Sequence, residues 1–466
     1  MRQTTLVLTL LTASILSACG GGSATPGDQT LKVQFASEVS FGDSLSDVGS
    51  YAVGTVKALG GGKFTINGDN TAINPTLTGK NWTELMAAQF SLPAPCPAQT
   101  GLTGDASQGF SVPVVNHAGC FSYAQGGARV TNPVGPGNAL AGSPLGALTV
   151  PVSTQIQNHL AAVGGKFSGK EIVFVMAGGN DTLFLLTQLT TDATAAGTAA
   201  GATAGASTFA STLVGLLAAG ATNPATAAQA IGTALATENA NPNHTTTSLV
   251  TAAVGAAAIQ PGNSAVASPA VYGPMVASAQ AAATTAGTTA GNTAAAAYVA
   301  ANGPALVTAM ATAGAQLANL VETQIVANGA NYVTVNNLPD VATTPSGRAQ
   351  GASAQALIAA MVTAFNTQLA NGLANDPKVL VVDVYAVSHD QATNPAPYGL
   401  TNVTDPACDL STAKNPLQSS LVCNASNLIP GDVSHYSFAD TVHPTPFNNL
   451  LLARYVSQRM VVKGWI

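Results

Sequence analysis

Apolar positions follow two regimes along this chain of 466 residues. From about Val33 to Leu186, and again from about Ala330 to the end, short apolar runs alternate with stretches of helical spacing. Val39-Ser40-Phe41 ends an alternating stretch, Ile172 to Ala177 is continuously apolar, and Tyr332 to Val335 and Val379 to Val384 are further short runs. Each is rich in Val or Ile and bounded by Gly, Asn, Pro or Asp, the pattern of strands buried in a parallel sheet. Between Ala356 and Leu373, Leu357, Met361, Phe365 and Leu369 recur every fourth residue, which places them on one helical face. Strand alternating with helix predicts an α/β fold, a three-layer α/β/α sandwich around a central parallel sheet.

The middle of the chain breaks this pattern. Residues 191–318 are mostly Ala, Thr and Gly, and their only charged side chains are Asp192 and Glu238. Ala favours helix while Gly, Thr and Asn weaken it, so the expectation is a helical insertion with breaks at Asn223-Pro224, Asn241-Pro242, Pro261-Gly262 and Gly303-Pro304. A membrane-spanning reading of Ala294 to Leu320 is opposed by Asn302, Pro304 and Gln316. Residues 32–190 and 319–466 are then two parts of one α/β domain flanking the insertion.

Composition narrows the function classes. Charged residues are only 7% of the chain, far below the roughly 25% of an ordinary soluble domain. The formal net charge of −6 leaves no basic face for a phosphate backbone, which argues against nucleic-acid binding. At the N-terminus Arg2 precedes a short apolar run, Leu6 to Leu16, and then small residues up to Cys19. The run is too short for a spanning helix and reads as an export signal. Leu16-Ser17-Ala18-Cys19 resembles a bacterial lipobox, giving a signal peptide over 1–18, lipidation at Cys19 and a flexible tether over 19–31. Gly20 after that cysteine resembles lipoproteins sorted to the outer membrane.

Four cysteines remain, and an exported chain with an even count suggests disulfides. Of three possible pairings the sequence-local one is expected, Cys96–Cys120 with Cys408–Cys423, each loop contributing about 3 kcal/mol in the chain-entropy model. No Cys-x-x-Cys spacing supports a zinc site.

The candidate chemistry begins at Phe41-Gly42-Asp43-Ser44-Leu45-Ser46-Asp47, directly after the first predicted strand. A serine on such a turn presents its hydroxyl above the carboxyl edge of a parallel sheet, where α/β folds bind ligands. A hydroxyl is a poor nucleophile until a base takes its proton, and Asp440-Thr441-Val442-His443 supplies a histidine with a carboxylate three residues before it. Acyl transfer also needs donors for a developing oxyanion. Gly126-Gly127 and Asn180, in Gly178-Gly179-Asn180-Asp181, are the candidates. Asp43, Asp47 and Asp181 read as acceptors that brace loops. His117, His159, His244, His389 and His435 are scattered and form no metal-binding pattern, and serine chemistry of this kind requires no metal or cofactor.

From the block around Ser44 to the last helix, the chain resembles the GDSL esterases and lipases of the SGNH hydrolase superfamily, which have a flavodoxin-like fold. The resemblance implies Ser44 as nucleophile, Asp440 and His443 as its partners, and Ser44 N–H, Gly127 N–H and the Asn180 amide as oxyanion donors. Asn81-Trp82, Asn337-Leu338-Pro339-Asp340, Asn394-Pro395-Ala396-Pro397-Tyr398-Gly399 and Thr401-Asn402 also look like this family, nearest its bacterial secreted and outer-membrane branch. Ser50 and Ser122 depart from it, each standing where asparagine is usual. The implied activity is serine-dependent hydrolysis of a small or lipid carboxylic ester by a monomer. An acyltransferase, or a surface-display lipoprotein on a hydrolase fold, is the alternative. The insertion follows the Asn180 block, so a lid over the site is one expectation for it.

Overall fold

A computed structural model describes residues 33–70 and 78–466. The signal segment 1–18, Cys19 and the tether 19–31 lie outside the described residues. In chain order the main elements are β1 (Glu38–Gly42), α1 (Trp82–Gln89), β2 (Gln99–Thr103), β3 (Ser111–Asn116), α2 (Val152–Ala162) and β4 (Ile172–Met176). Then come α3 (Gly179–Ala218), α4 (Pro224–Asn239), α5 (Thr246–Ala258), α6 (Pro269–Leu320), β5 (Tyr332–Asn336) and α7 (Ala352–Leu373). The chain finishes with β6 (Val379–Val382), α8 (Val384–Thr393), β7 (Asn402–Pro406), β8 (Tyr436–Phe438) and α9 (Pro446–Lys463).

The fold is mixed α/β around a parallel sheet in the order β1-β4-β5-β6. Its strands are the four apolar runs of the sequence. On the free edge of β1, Ser40 donates its N–H to Phe121 O and accepts from Tyr123 N–H, which adds a short parallel fifth segment. Counting that segment, the chain order across the sheet is 2-1-3-4-5.

Alternation along the strands feeds two cores. Val39, Phe41, Val173, Val175, Val333 and Val335 pack with Ile156 of α2, Leu317 of α6 and Phe365 of α7. Ile172, Phe174, Met176, Leu380 and Val382 point the other way, against Trp82 and Met86 of α1 and Val456 and Met460 of α9. Both faces of the sheet are therefore covered by helices, which is why β4 and β6 read as unbroken apolar runs. The disulfides Cys96–Cys120 and Cys408–Cys423 are both formed.

Helix α3 begins at Gly179 and runs without a loop through position 190, so the insertion grows directly out of a helix of the α/β domain. It lies along α6, with Gly197 and Gly201 set against Gly291 and Gly287. Residues of α3 to α6, among them Leu213, Leu217, Ile231 and Leu235, form a separate core at the far end. Threonine hydroxyls along these helices bond back to the carbonyl four residues earlier, as in Thr198 to Thr194 and Thr289 to Thr285, both 2.9 Å. That satisfies the hydroxyl without ending the helix. One expectation needs correction: Gly303-Pro304 is no break, because α6 continues through Pro304. An interior proline costs about 3 kcal/mol, and packing of α6 between α3 and α7 outweighs it. By length and composition α3 and α6 are each sufficient to cross a membrane.

His159 sits in the first core with both ring nitrogens unpartnered among the described residues. The rings of Phe41, Phe121, Tyr123 and Phe167 surround it at 5.7, 5.5, 5.4 and 4.7 Å. Burial pushes its pKa down from 6.5 to about 4. The unfolded chain takes up this proton first, so the folded state loses stability as pH falls from 6.5 towards about 4. His159→Phe is expected to flatten that part of the stability profile. Urea unfolding of both proteins between pH 7 and 4 checks this, and parallel profiles would refute it.

Candidate active site

The carboxyl end of β1 sets the serine. A Cβ on Gly42 would lie 2.2 Å from Met176 O, so only glycine lets β1 close onto β4 here. The Gln155 side chain accepts from Gly42 N–H and donates to Gly42 O, both at 2.8 Å, and Asp43 N–H donates to Met176 O at 3.3 Å. The chain then turns, and Ser44 lies above the sheet's carboxyl edge.

Asp47 ties this turn to the glycine loop. One oxygen accepts from Gly49 N–H at 2.8 Å and Ser50 N–H at 2.7 Å, and the other accepts from Gly126 N–H at 2.9 Å. Burial pushes its carboxyl up to about 6 despite these amides. Ser50 and Ser122 bond to neighbouring segments. Ser50 Oγ donates to Ala124 O at 3.2 Å, and the Ser40 hydroxyl donates to Ser122 Oγ at 2.9 Å.

Gly127 follows with φ +79°, and a Cβ there would meet Pro136 O at 2.1 Å. Asn180, in the first turn of α3, donates one amide hydrogen to Ala128 O at 2.9 Å, which leaves its second hydrogen for another acceptor. Asp181 accepts from Arg129 Nε at 2.9 Å and Val130 N–H at 3.1 Å, locking the same loop from the other side. The backbone N–H groups of Ser44 and Gly127 take no partner among the described residues.

The histidine arrives from the far end of the chain. Its Nε2 lies 2.9 Å from Ser44 Oγ, and its Nδ1 lies 2.8 Å from Asp440 Oδ2. Asp440 also accepts from Val442, His443 and Ser420 N–H, at 2.9, 2.8 and 2.8 Å. The Phe64 ring packs on the imidazole at 4.8 Å. Burial disfavours charge on both groups, yet each favours the charged form of the other. The Asp440 carboxyl is held below its ordinary range and the His443 imidazole is raised above 6.5.

These residues line a cavity of about 480 Å³. Its walls are mainly apolar, with Leu45, Phe64, Leu145, Leu183, Leu338 and Phe438 among them, and Ser44, Asn180 and His443 also line it. Among the described residues none of 191–318 lines it, so the lid expectation has no contact to rest on.

The sequence pattern missed three supports: Phe64, the Ser420 amide and Arg129 as the partner of Asp181. None carries a local signal, because each acts across the fold. His389 pairs with Asp340 at 2.7 Å rather than with the adjacent Asp390, whose carboxylate accepts from the Tyr398 hydroxyl.

The molecule is thus a mixed α/β protein with a serine, a histidine and an aspartate hydrogen-bonded in series over an apolar cavity. Part of the chain is similar to the GDSL esterase/lipase APG of Arabidopsis thaliana, at 30% identity over 142 residues. The match covers 28% of this chain and 39% of the plant protein, so the chain spans well under two thirds of that protein's length. No protein-family model matches the chain.

The packing at β1 is testable. Gly42→Ala is expected to lower stability by about 1–3 kcal/mol, the cost of overpacking a fitted site, measured by urea unfolding. An unchanged midpoint would contradict the close approach.

Proposed function

We propose that this protein is a serine-dependent carboxylic-ester hydrolase of the GDSL type, built on a flavodoxin-like three-layer sandwich. The observation that carries the reading is the series Ser44 Oγ to His443 Nε2 at 2.9 Å and His443 Nδ1 to Asp440 Oδ2 at 2.8 Å, opening on an apolar cavity. The sheet order 2-1-3-4-5 with helices on both faces supports the fold assignment.

Ser44 Oγ attacks the ester carbonyl carbon while His443 Nε2 takes the hydroxyl proton. The imidazolium keeps its Nδ1–H on Asp440, which stabilises the new charge. The carbonyl oxygen becomes an oxyanion facing the amides of Ser44 and Gly127 and the free hydrogen of Asn180, each such donor contributing about 3 kcal/mol to the transition state. When the tetrahedral intermediate collapses, the alkoxy oxygen leaves with the proton from His443, and Ser44 carries the acyl group. Water then gives its proton to His443 and attacks the acyl carbon. Collapse frees the carboxylic acid and returns the proton to Ser44.

The apolar walls suit an acyl chain. Export and lipidation at Cys19 place the enzyme at the outer membrane, with the insertion as a helical decoration beside the hydrolase.

Nitrophenyl esters from acetyl to palmitoyl test the reading. Ser44→Ala is expected to abolish turnover with unchanged unfolding, and Asn180→Ala to lower kcat about 100-fold. Near-normal turnover by Ser44→Ala would end the scheme. Turnover requires neutral His443, so kcat/KM is expected to fall on the acid side with a midpoint above pH 6.5. A midpoint below that value would contradict the Asp440 pairing.

A further inference from the structure

Asp43 stands apart from the other two acidic residues near the serine. Asp47 accepts three backbone amides, and Asp181 accepts an arginine and an amide. Both are fully engaged in holding loops. Asp43 is as buried, at 3% exposure, yet it accepts one hydrogen bond, from Leu45 N–H at 3.1 Å. Its other oxygen points towards Gly179, where a Cβ would lie 3.7 Å away, at the start of α3 and next to Asn180. It lines the same cavity as Ser44 and His443. Bracing a turn needs only an acceptor, which asparagine or serine would supply without burying an acid.

We propose that Asp43 is a positioning residue for the proposed reaction, acting through His443 as a second counter-charge to the imidazolium. The inference rests on the Ser44–His443–Asp440 reading. Asp440 contacts the Nδ1 side of the ring, whereas Asp43 belongs to the serine turn against which Nε2 works. As the proton passes from Ser44 to His443, an ionised Asp43 lowers the energy of the imidazolium from that second side. Asp43 is buried, and a buried charge acts more strongly on its neighbours than one in water.

The charged groups around Asp43 fix the direction of the effect. Burial pushes its carboxyl up to about 7, the Leu45 amide and the His443 charge pull it down, and the charges of Asp181 and Asp47 push it up. Asp181 is largely matched by Arg129, and His443 is the positive charge that acts on Asp43. Reciprocally, Asp440 and then Asp43 raise the imidazole of His443 against its burial. Asp43 and His443 therefore titrate as a pair. The second counter-charge is present above about pH 7 and is lost as Asp43 takes a proton below it.

Asp43→Asn keeps an acceptor for the Leu45 amide and removes only the charge. The expected result is a fall of about tenfold in kcat together with an acid limb of kcat/KM moved about one pH unit lower, because His443 loses a neighbour that raised it. A purely structural role would lower kcat and leave the limb in place, and that result overturns the proposal. A wild-type enzyme without Ser44-dependent turnover would instead overturn the underlying reading. A readout free of turnover and of the variant's folding is the imidazole NMR titration of His443 in the wild-type protein. Two inflections, the smaller belonging to Asp43, support the proposal, and a single clean inflection contradicts it.

Discussion

The hydrogen bond between Ser44 and His443 joins residues 399 positions apart, and most of the structure around it serves to hold that distance at 2.9 Å. Each end is fixed by a different part of the fold. The serine end rests on the glycine contact between β1 and β4 and on the Gln155 clasp of Gly42. The histidine end rests on Asp440, whose two oxygens accept from three backbone amides before they meet the imidazole. One of those amides belongs to Ser420, three residues before Cys423, so the Cys408–Cys423 disulfide restrains a segment that orients the carboxylate. Reaction geometry must be held to a fraction of an ångström for proximity to be effective, and here rigid backbone rather than flexible side chains supplies it.

The same logic connects the loops that carry Gly127 and Asn180. Asp47 fastens the serine turn to Gly126, Asp181 fastens α3 to Arg129 and Val130, and Asn180 bonds to Ala128. Three segments distant in sequence become one unit. The two buried carboxylates that do this are costly to desolvate, and their amide and guanidinium partners offset that cost. Asp43, with one amide partner, lacks that compensation, and its charge is free to bear on His443.

Much of this was legible in the sequence because the informative signals are local. The sheet strands are short Val- and Ile-rich runs, and burial on both faces leaves nothing else for such runs to be. The candidate site was legible because its residues fall in short motifs: Gly42-Asp43-Ser44 after the first strand, Gly126-Gly127, Gly178-Gly179-Asn180-Asp181, and Asp440-Thr441-Val442-His443, a turn that lets a carboxylate reach its own histidine. What stayed hidden acts through space. Phe64 against His443 and the Ser420 amide on Asp440 have no local pattern, and the pairing of His389 with Asp340 overrides an adjacent aspartate. The insertion was legible as helix and in three of its four expected joints, at Asn223-Pro224, Asn241-Pro242 and Pro261-Gly262. Gly303-Pro304 reads as a break only if local propensity decides, whereas α6 continues through it, packed against α3 and α7.

The central claim is that Ser44 is a nucleophile activated by His443. Covalent labelling with a fluorophosphonate, located by mass spectrometry, tests it most directly because it depends on no choice of ester. The expected result is a single adduct on Ser44 that disappears in His443→Ala. No adduct on Ser44, or equal labelling in the histidine variant, would contradict the claim.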